Sequence, residues 1–66
     1  MTLLVIDRET GQVERISSTD VNFDSSIAAA AGAIGISYYD AIDTLYAGGE
    51  LATCGYVRRL EAKQAG

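Results

Sequence analysis

Histidine, tryptophan and proline do not occur in this 66-residue chain, and cysteine occurs once. Without histidine there is no imidazole base and no His-ligated metal. A lone cysteine closes no disulfide within the chain, so the fold is expected to hold by packing alone, as suits a reducing cytoplasm. Basic residues are also scarce: five Lys and Arg stand against nine Asp and Glu, a formal net charge of −4. From Ile16 to Val57 there is no Lys or Arg at all, while Asp20, Asp24, Asp40, Asp43 and Glu50 fall in that stretch. No run of apolar residues reaches the ~20 that a membrane helix needs, and the apolar start Met1–Ile6 lacks the basic residues of a signal peptide. These features lead us to expect a soluble cytoplasmic protein with no membrane association.

What is present suits one small globular domain. Hydrophobic residues make up 48% and charged residues 21% of the chain, too apolar for a disordered tail. A chain of this length buries only ~60% of the surface its unfolded form exposes.

The pattern predicts a β-hairpin over 1–17. Leu3–Ile6 is a short branched-rich run and Val13–Ile16 a more polar one, with turn chemistry in Asp7–Gly11 between them. The first strand is apolar on both faces and is expected at the centre of its sheet; the second, with Glu14 and Arg15, suits an edge. A helix pair is predicted over 24–47. Asp24 or Ser25 can cap the first helix, Phe23 can staple its start, and Gly35 can end it. Gly32 suggests close approach of a neighbouring element. Ser37 is placed to cap the second helix, whose apolar stripe is Tyr38, Ala41, Ile42 and Leu45. Gly48–Gly49 stops it. Residues 50–60 read as a strand over Tyr56–Leu60, with a shorter piece at Leu51–Thr53 left open, and 61–66 read as a frayed tail. The expected fold is α+β: a ββααβ domain with a helix pair on a small antiparallel sheet.

Catalysis finds little support. Cys54 and Ser37 have no histidine partner, so Cys54 reads as a small core residue or an inert surface thiol. Asp40 and Asp43 are too few oxygen ligands for a divalent cation and suit a solvated helix face. The glycines match no phosphate-binding loop. No catalytic residue, metal or cofactor is expected.

Ala31, Gly35–Ile36–Ser37, Ile42 and Leu45 resemble a helix-turn-helix. Residues 26–59, with their late Gly55–Tyr56, are similar to the small DNA-binding modules appended to homing nucleases. In register they differ, because the usual anchors of the second helix would fall on Ala41 and Thr44. Tyr38, Tyr39, Asp40, Asp43 and Thr44 would face the groove in such a module, and none is basic. An acidic helix approaching DNA meets about one negative charge per ~1.7 Å of axis and is repelled.

The same face suits a protein groove built for nucleic acid. Carboxylates can take the place of phosphates against Arg and Lys, and Tyr38, Tyr39 and Tyr46 supply rigid contact area. For any one of these acids the alternative is a solubilising face. In size, acidity and lack of catalytic groups, with Asp20, Asp24, Asp40 and Asp43 on a compact chain, the protein resembles the small phage-encoded anti-CRISPR proteins. The resemblance is to those inhibiting type I systems, with type I-C the subtype it suggests. It implies a stoichiometric inhibitor in the infected bacterial cytoplasm. It further implies that the protein binds the large subunit of the Cascade surveillance complex and blocks target or PAM DNA by acidic mimicry, without binding nucleic acid itself. The contact role is carried first to Asp40, Asp43, Tyr39 and Glu50, then to Asp20, Asp24, Tyr38 and Tyr46. Two alternatives stand beside it: a helix-turn-helix-related regulator binding DNA through Arg58, Arg59 and Arg8, and a module that pairs with itself through its tyrosines. Monomer and homodimer are both open.

Overall fold

The computed structural model describes residues 1–61. Its elements run β1 (Thr2–Asp7), β2 (Val13–Ser17), α1 (Asn22–Ile34), α2 (Tyr38–Tyr46), β3 (Glu50–Thr53) and β4 (Tyr56–Glu61). The four strands form one antiparallel sheet in the order β2-β1-β4-β3, and both helices pack on one of its faces. The expected α+β class and helix pair on an antiparallel sheet are therefore observed, with one strand more than ββααβ. The short piece at Leu51–Thr53 is a separate strand, because Cys54–Gly55 turns the chain back and Gly55 takes the positive φ of 82° that the turn requires. Glu61 belongs to β4 rather than to a tail, and residues 62–66 lie outside the described residues.

The first hairpin forms as its residues dictate. The Asp7 carboxylate accepts the backbone N–H of Glu9 at 2.8 Å, and the Gly11 N–H bonds the Asp7 carbonyl at 2.8 Å. β1 lies centrally between β2 and β4, and β2 is an edge, both as its polarity predicts. Pairing the first strand with the last closes the sheet across the whole length of the chain.

α1 begins two residues earlier than expected. Its N-cap is Val21, which makes no side-chain bond, rather than Asp24 or Ser25, and the Asp20 carboxylate just before it accepts the Asn22 N–H at 2.8 Å. Phe23, expected to staple the start from outside, is in the helix and buried in the core. The helix buries Phe23, Ile27, Ala30 and Ala31, spaced one and two turns apart. Close approach occurs at Ala30 and Ala31, not at Gly32, which is exposed with nothing within 4 Å of where a Cβ would stand. Gly35 ends α1 in the left-handed conformation with its N–H on the Ala31 carbonyl.

Two residues later Ser37 caps α2, accepting the Asp40 N–H at 3.1 Å. α2 buries Ala41 and Leu45 and rests Tyr38 and Ile42 against the core. It must then turn sharply into β3. A Cβ on Gly49 would stand 2.9 Å from Thr44 Cγ2 and 3.0 Å from the Thr44 carbonyl oxygen, so this position takes no side chain without a shift.

Strand periodicity divides the sheet's side chains between two faces. Leu3, Val5, Ile16, Leu51 and Leu60 meet the helices. Arg58 lies on that face as well: its Nε donates to Ser26 Oγ of α1 at 3.4 Å, one of its terminal nitrogens donates to Thr53 Oγ1 at 3.0 Å, and its guanidinium carbon stands 5.7 Å from the Tyr56 ring centroid. The opposite face carries Leu4, Ile6, Val13, Arg15, Val57, Arg59, Ala52, Glu50 and Glu61.

Leu45 is 1% exposed at the centre of this single core. Leu45→Ala should cost ~2–5 kcal/mol, a large share of the ~3–10 kcal/mol that a domain of this size holds. Urea unfolding should show a much lower midpoint or a lost cooperative transition; a loss under ~1 kcal/mol would contradict the packing described.

Candidate partner-binding surface

α2 presents its outer side to solvent as an acidic and aromatic strip. Asp40 and Asp43 stand one turn apart and exposed; Tyr39 is 78% and Tyr46 53% exposed. Tyr39, Asp43 and Tyr46 follow at i, i+4 and i+7, so they share one line along the helix. The alternation that buries Ala41 and Leu45 is what turns these residues outward. Neither helix carries a Lys or Arg to interrupt the sign of the surface.

Asp24 joins this strip through Tyr38. The Tyr38 hydroxyl donates to the Asp24 carboxylate at 2.6 Å, tying the start of α2 to the first turn of α1. Tyr38 and Tyr39 stack edge to face with ring centroids 5.8 Å apart. The hydrogen bond to Asp24 is the main reason the Tyr38 phenol is held above its ordinary value of 10.0; burial and the Asp24 charge act in the same direction, with smaller contributions from Tyr39 and Tyr46. Tyr38 is thus half-buried and committed to Asp24, a brace rather than a free contact. The Asp20 carboxylate is engaged by the Asn22 N–H at the start of α1 but remains exposed.

Glu50 does not belong with this group. It sits on β3 directly opposite Arg59 of β4, on the sheet face that points away from the helices. Its position directly after the Gly48–Gly49 pair that follows α2 places it near the strip in sequence, and the alternation of the strand then turns it away. The basic residues are divided in the same manner. Arg58 and Arg59 are neighbours in sequence and lie on opposite faces: Arg58 is held between α1 and β3, and Arg59 stands on the open face. They do not form one basic patch.

Arg59 has a different neighbour that the sequence order conceals. Arg15 on β2 and Arg59 on β4 both pair with Leu4 of β1 and so flank it from either side. Leu4 is only 6% exposed although it is not among the residues of the helix-covered core. The signal for this open face was the apolar character of Leu4 and Ile6 on the second side of β1.

The remaining features carry less chemistry. A shallow groove of about 520 Å³ lies beyond the helices between the hairpin and β4, lined by Val5, Asp7, Gln12, Val13, Glu14 and Tyr56. Asp7 there is engaged by the turn it closes. Cys54 is exposed in the β3–β4 turn rather than in the core. Among the described residues no three His, Cys, Asp or Glu side chains converge on a metal position, and no helix is long and apolar enough to cross a membrane.

The brace can be tested by titration. A tyrosine whose value is raised on folding contributes stability in full below its unfolded value near 10.0, and that contribution is lost as pH rises through the raised value. Ultraviolet titration should show one of the four tyrosines ionising later than the rest, and Asp24→Ala should bring it back among them. Four tyrosines ionising together in the parent protein would contradict the Tyr38–Asp24 bond. No protein-family profile, curated protein or solved structure matches the chain.

Proposed function

We propose that this protein is a stoichiometric protein inhibitor that docks its acidic helix layer into a basic, nucleic-acid-binding groove of a partner. The observation that carries the reading is the single sign of that layer. Asp20, Asp24, Asp40 and Asp43 lie on or beside the two helices, and no base lies among them. Arg and Lys that hold phosphates in the partner accept these carboxylates in their place. Tyr39 and Tyr46, rigid and exposed at either end of α2, supply the apolar contact that anchors such an interface.

The resemblance to anti-CRISPR proteins supplies the partner class. In this reading the groove is the PAM-binding channel of a type I Cascade, in its large subunit, and occupation of that channel keeps target DNA out. Catalysis plays no part. The protein acts by binding, one copy per site.

Asp40 and Asp43 are exposed, so Asp40→Lys with Asp43→Lys should leave the thermal unfolding midpoint within a few degrees of the parent. The pair should weaken binding to a purified type I Cascade by at least ~100-fold, about 2.8 kcal/mol. Parent binding should also fall as salt rises from ~50 to ~200 mM. Undiminished binding by the folded double variant would sink the acidic-face reading. Affinity of the parent for naked duplex DNA, with none for the complex, would favour the helix-turn-helix regulator instead, working through Arg59 and Arg15 because Arg58 is engaged with Ser26 and Thr53.

A further inference from the structure

The open face of the sheet has a layout that fits a second copy of itself. Across the order β2-β1-β4-β3, one row reads Val13, Ile6, Val57, Ala52, and the next reads Arg15, Leu4, Arg59, Glu50. The first row is apolar throughout, with Val13 at 43% exposure. The second bears a cation at the β2 edge and an anion at the β3 edge. With Glu61 on the same face, Arg15 and Arg59 are balanced by Glu50 and Glu61, so among the described residues this surface is neutral on a chain of net charge −4.

We propose that the protein forms a twofold homodimer by stacking these two open faces, with the axis parallel to the strands between β1 and β4. That operation lays β2 of one copy over β3 of the other and β1 over β4. Ile6 then meets the partner's Val57, and Val13 meets the partner's Ala52. Arg15 meets the partner's Glu50, and by symmetry the same ion pair forms a second time. Leu4 lies under the stem of the partner's Arg59. Face-to-face sheets pack ~10 Å apart with mean strand directions within about 30° of each other, a range that this axis satisfies.

Geometry makes the pairing a specific one. Within one copy Arg15 and Glu50 are on the two edge strands, three strand spacings apart, or about 14 Å, too far to pair. Four strands at ~4.8 Å spacing and about five residues at ~3.4 Å rise give a face roughly 19 Å by 17 Å, about 320 Å² in plan, below the ~800 Å² per partner of a standard interface. The dimer is therefore weak and appears with rising concentration. It leaves both acidic helix layers outward on opposite sides, so it is compatible with the docking surface and does not depend on it.

Sedimentation equilibrium on the parent and charge variants tests this. The parent should pass from monomer to dimer between micromolar and ~1 mM concentration. Arg15→Glu alone, or Glu50→Arg alone, should weaken association at least ~10-fold by placing like charges together twice. The two combined should restore it, which no contact within one copy can mimic. Circular dichroism should confirm that all three variants fold, as expected for exposed positions. A parent that stays monomeric up to ~1 mM would overturn the proposal. So would a dimer indifferent to both single changes, or one that the combined change fails to restore. Loss of the dimer on Tyr39→Ala with Tyr46→Ala, the sheet variants being neutral, would place self-association on α2 instead and equally overturn it.

Discussion

Two helices of 13 and nine residues can cover only one face of a four-stranded sheet. The rest of the molecule follows from that constraint. Burial of Leu3, Val5, Ile16 and Leu51 against Phe23, Ile27 and Leu45 gives a single core. Everything on the other side of the strands must either tolerate water or find a partner. Arg15 and Arg59 stand on either side of Leu4 there, and the row from Val13 to Ala52 remains apolar and open.

The same constraint separates the charges. A two-layer fold gives its helices one outer surface and its sheet another, and among the described residues the first is acidic while the second is neutral. Asp40 and Asp43 occupy positions that the burial of Ala41 and Leu45 forces outward. Arg58, which would bring a cation to the helix side, is held at the layer boundary by Ser26, Thr53 and the Tyr56 ring. Among the described residues the helix layer keeps one sign because neither helix carries a base and Arg58 is engaged between the layers. Tyr38 and Asp24 then tie the start of α2 to the first turn of α1, so the acids of the two helices stand beside one another.

Much of the architecture was legible in the residues. The doubly apolar β1 pointed to a central strand, Gly35 and Ser37 marked the helix junction, and the Tyr38–Leu45 spacing marked the buried side of α2. Three features were not legible, each for a physical reason. Asp20 and Asp24 are equally able to bond the start of a helix, and only the burial of Phe23 inside the first turn sets that start at Asn22, with Val21 as N-cap and Asp20 accepting the Asn22 N–H. Leu51–Thr53 is too short to declare itself without its ladder to β4, and Cys54–Gly55 lacks the strongest hairpin-turn dipeptides. Nearness in sequence misleads within strands. Arg58 with Arg59, and Glu50 with the acids of α2, look like single groups until a period of two residues sends them to opposite faces. The candidate site was accordingly half visible: Asp40, Asp43, Tyr39 and Tyr46 share a strip that Asp24 joins through Tyr38, whereas Glu50 belongs to the sheet.

Carboxylate footprinting would test the central claim most directly. The protein would be treated with a carbodiimide and an amine, alone and with a purified type I Cascade, at a dilution where it is monomeric. Mass spectrometry then reads the labelling of each Asp and Glu. Docking through the helix layer predicts that Asp40 and Asp43 become protected in the complex while Glu14, Glu50 and Glu61 label as before. Unchanged labelling of Asp40 and Asp43 in a complex that has formed, with protection at the sheet carboxylates instead, would contradict it.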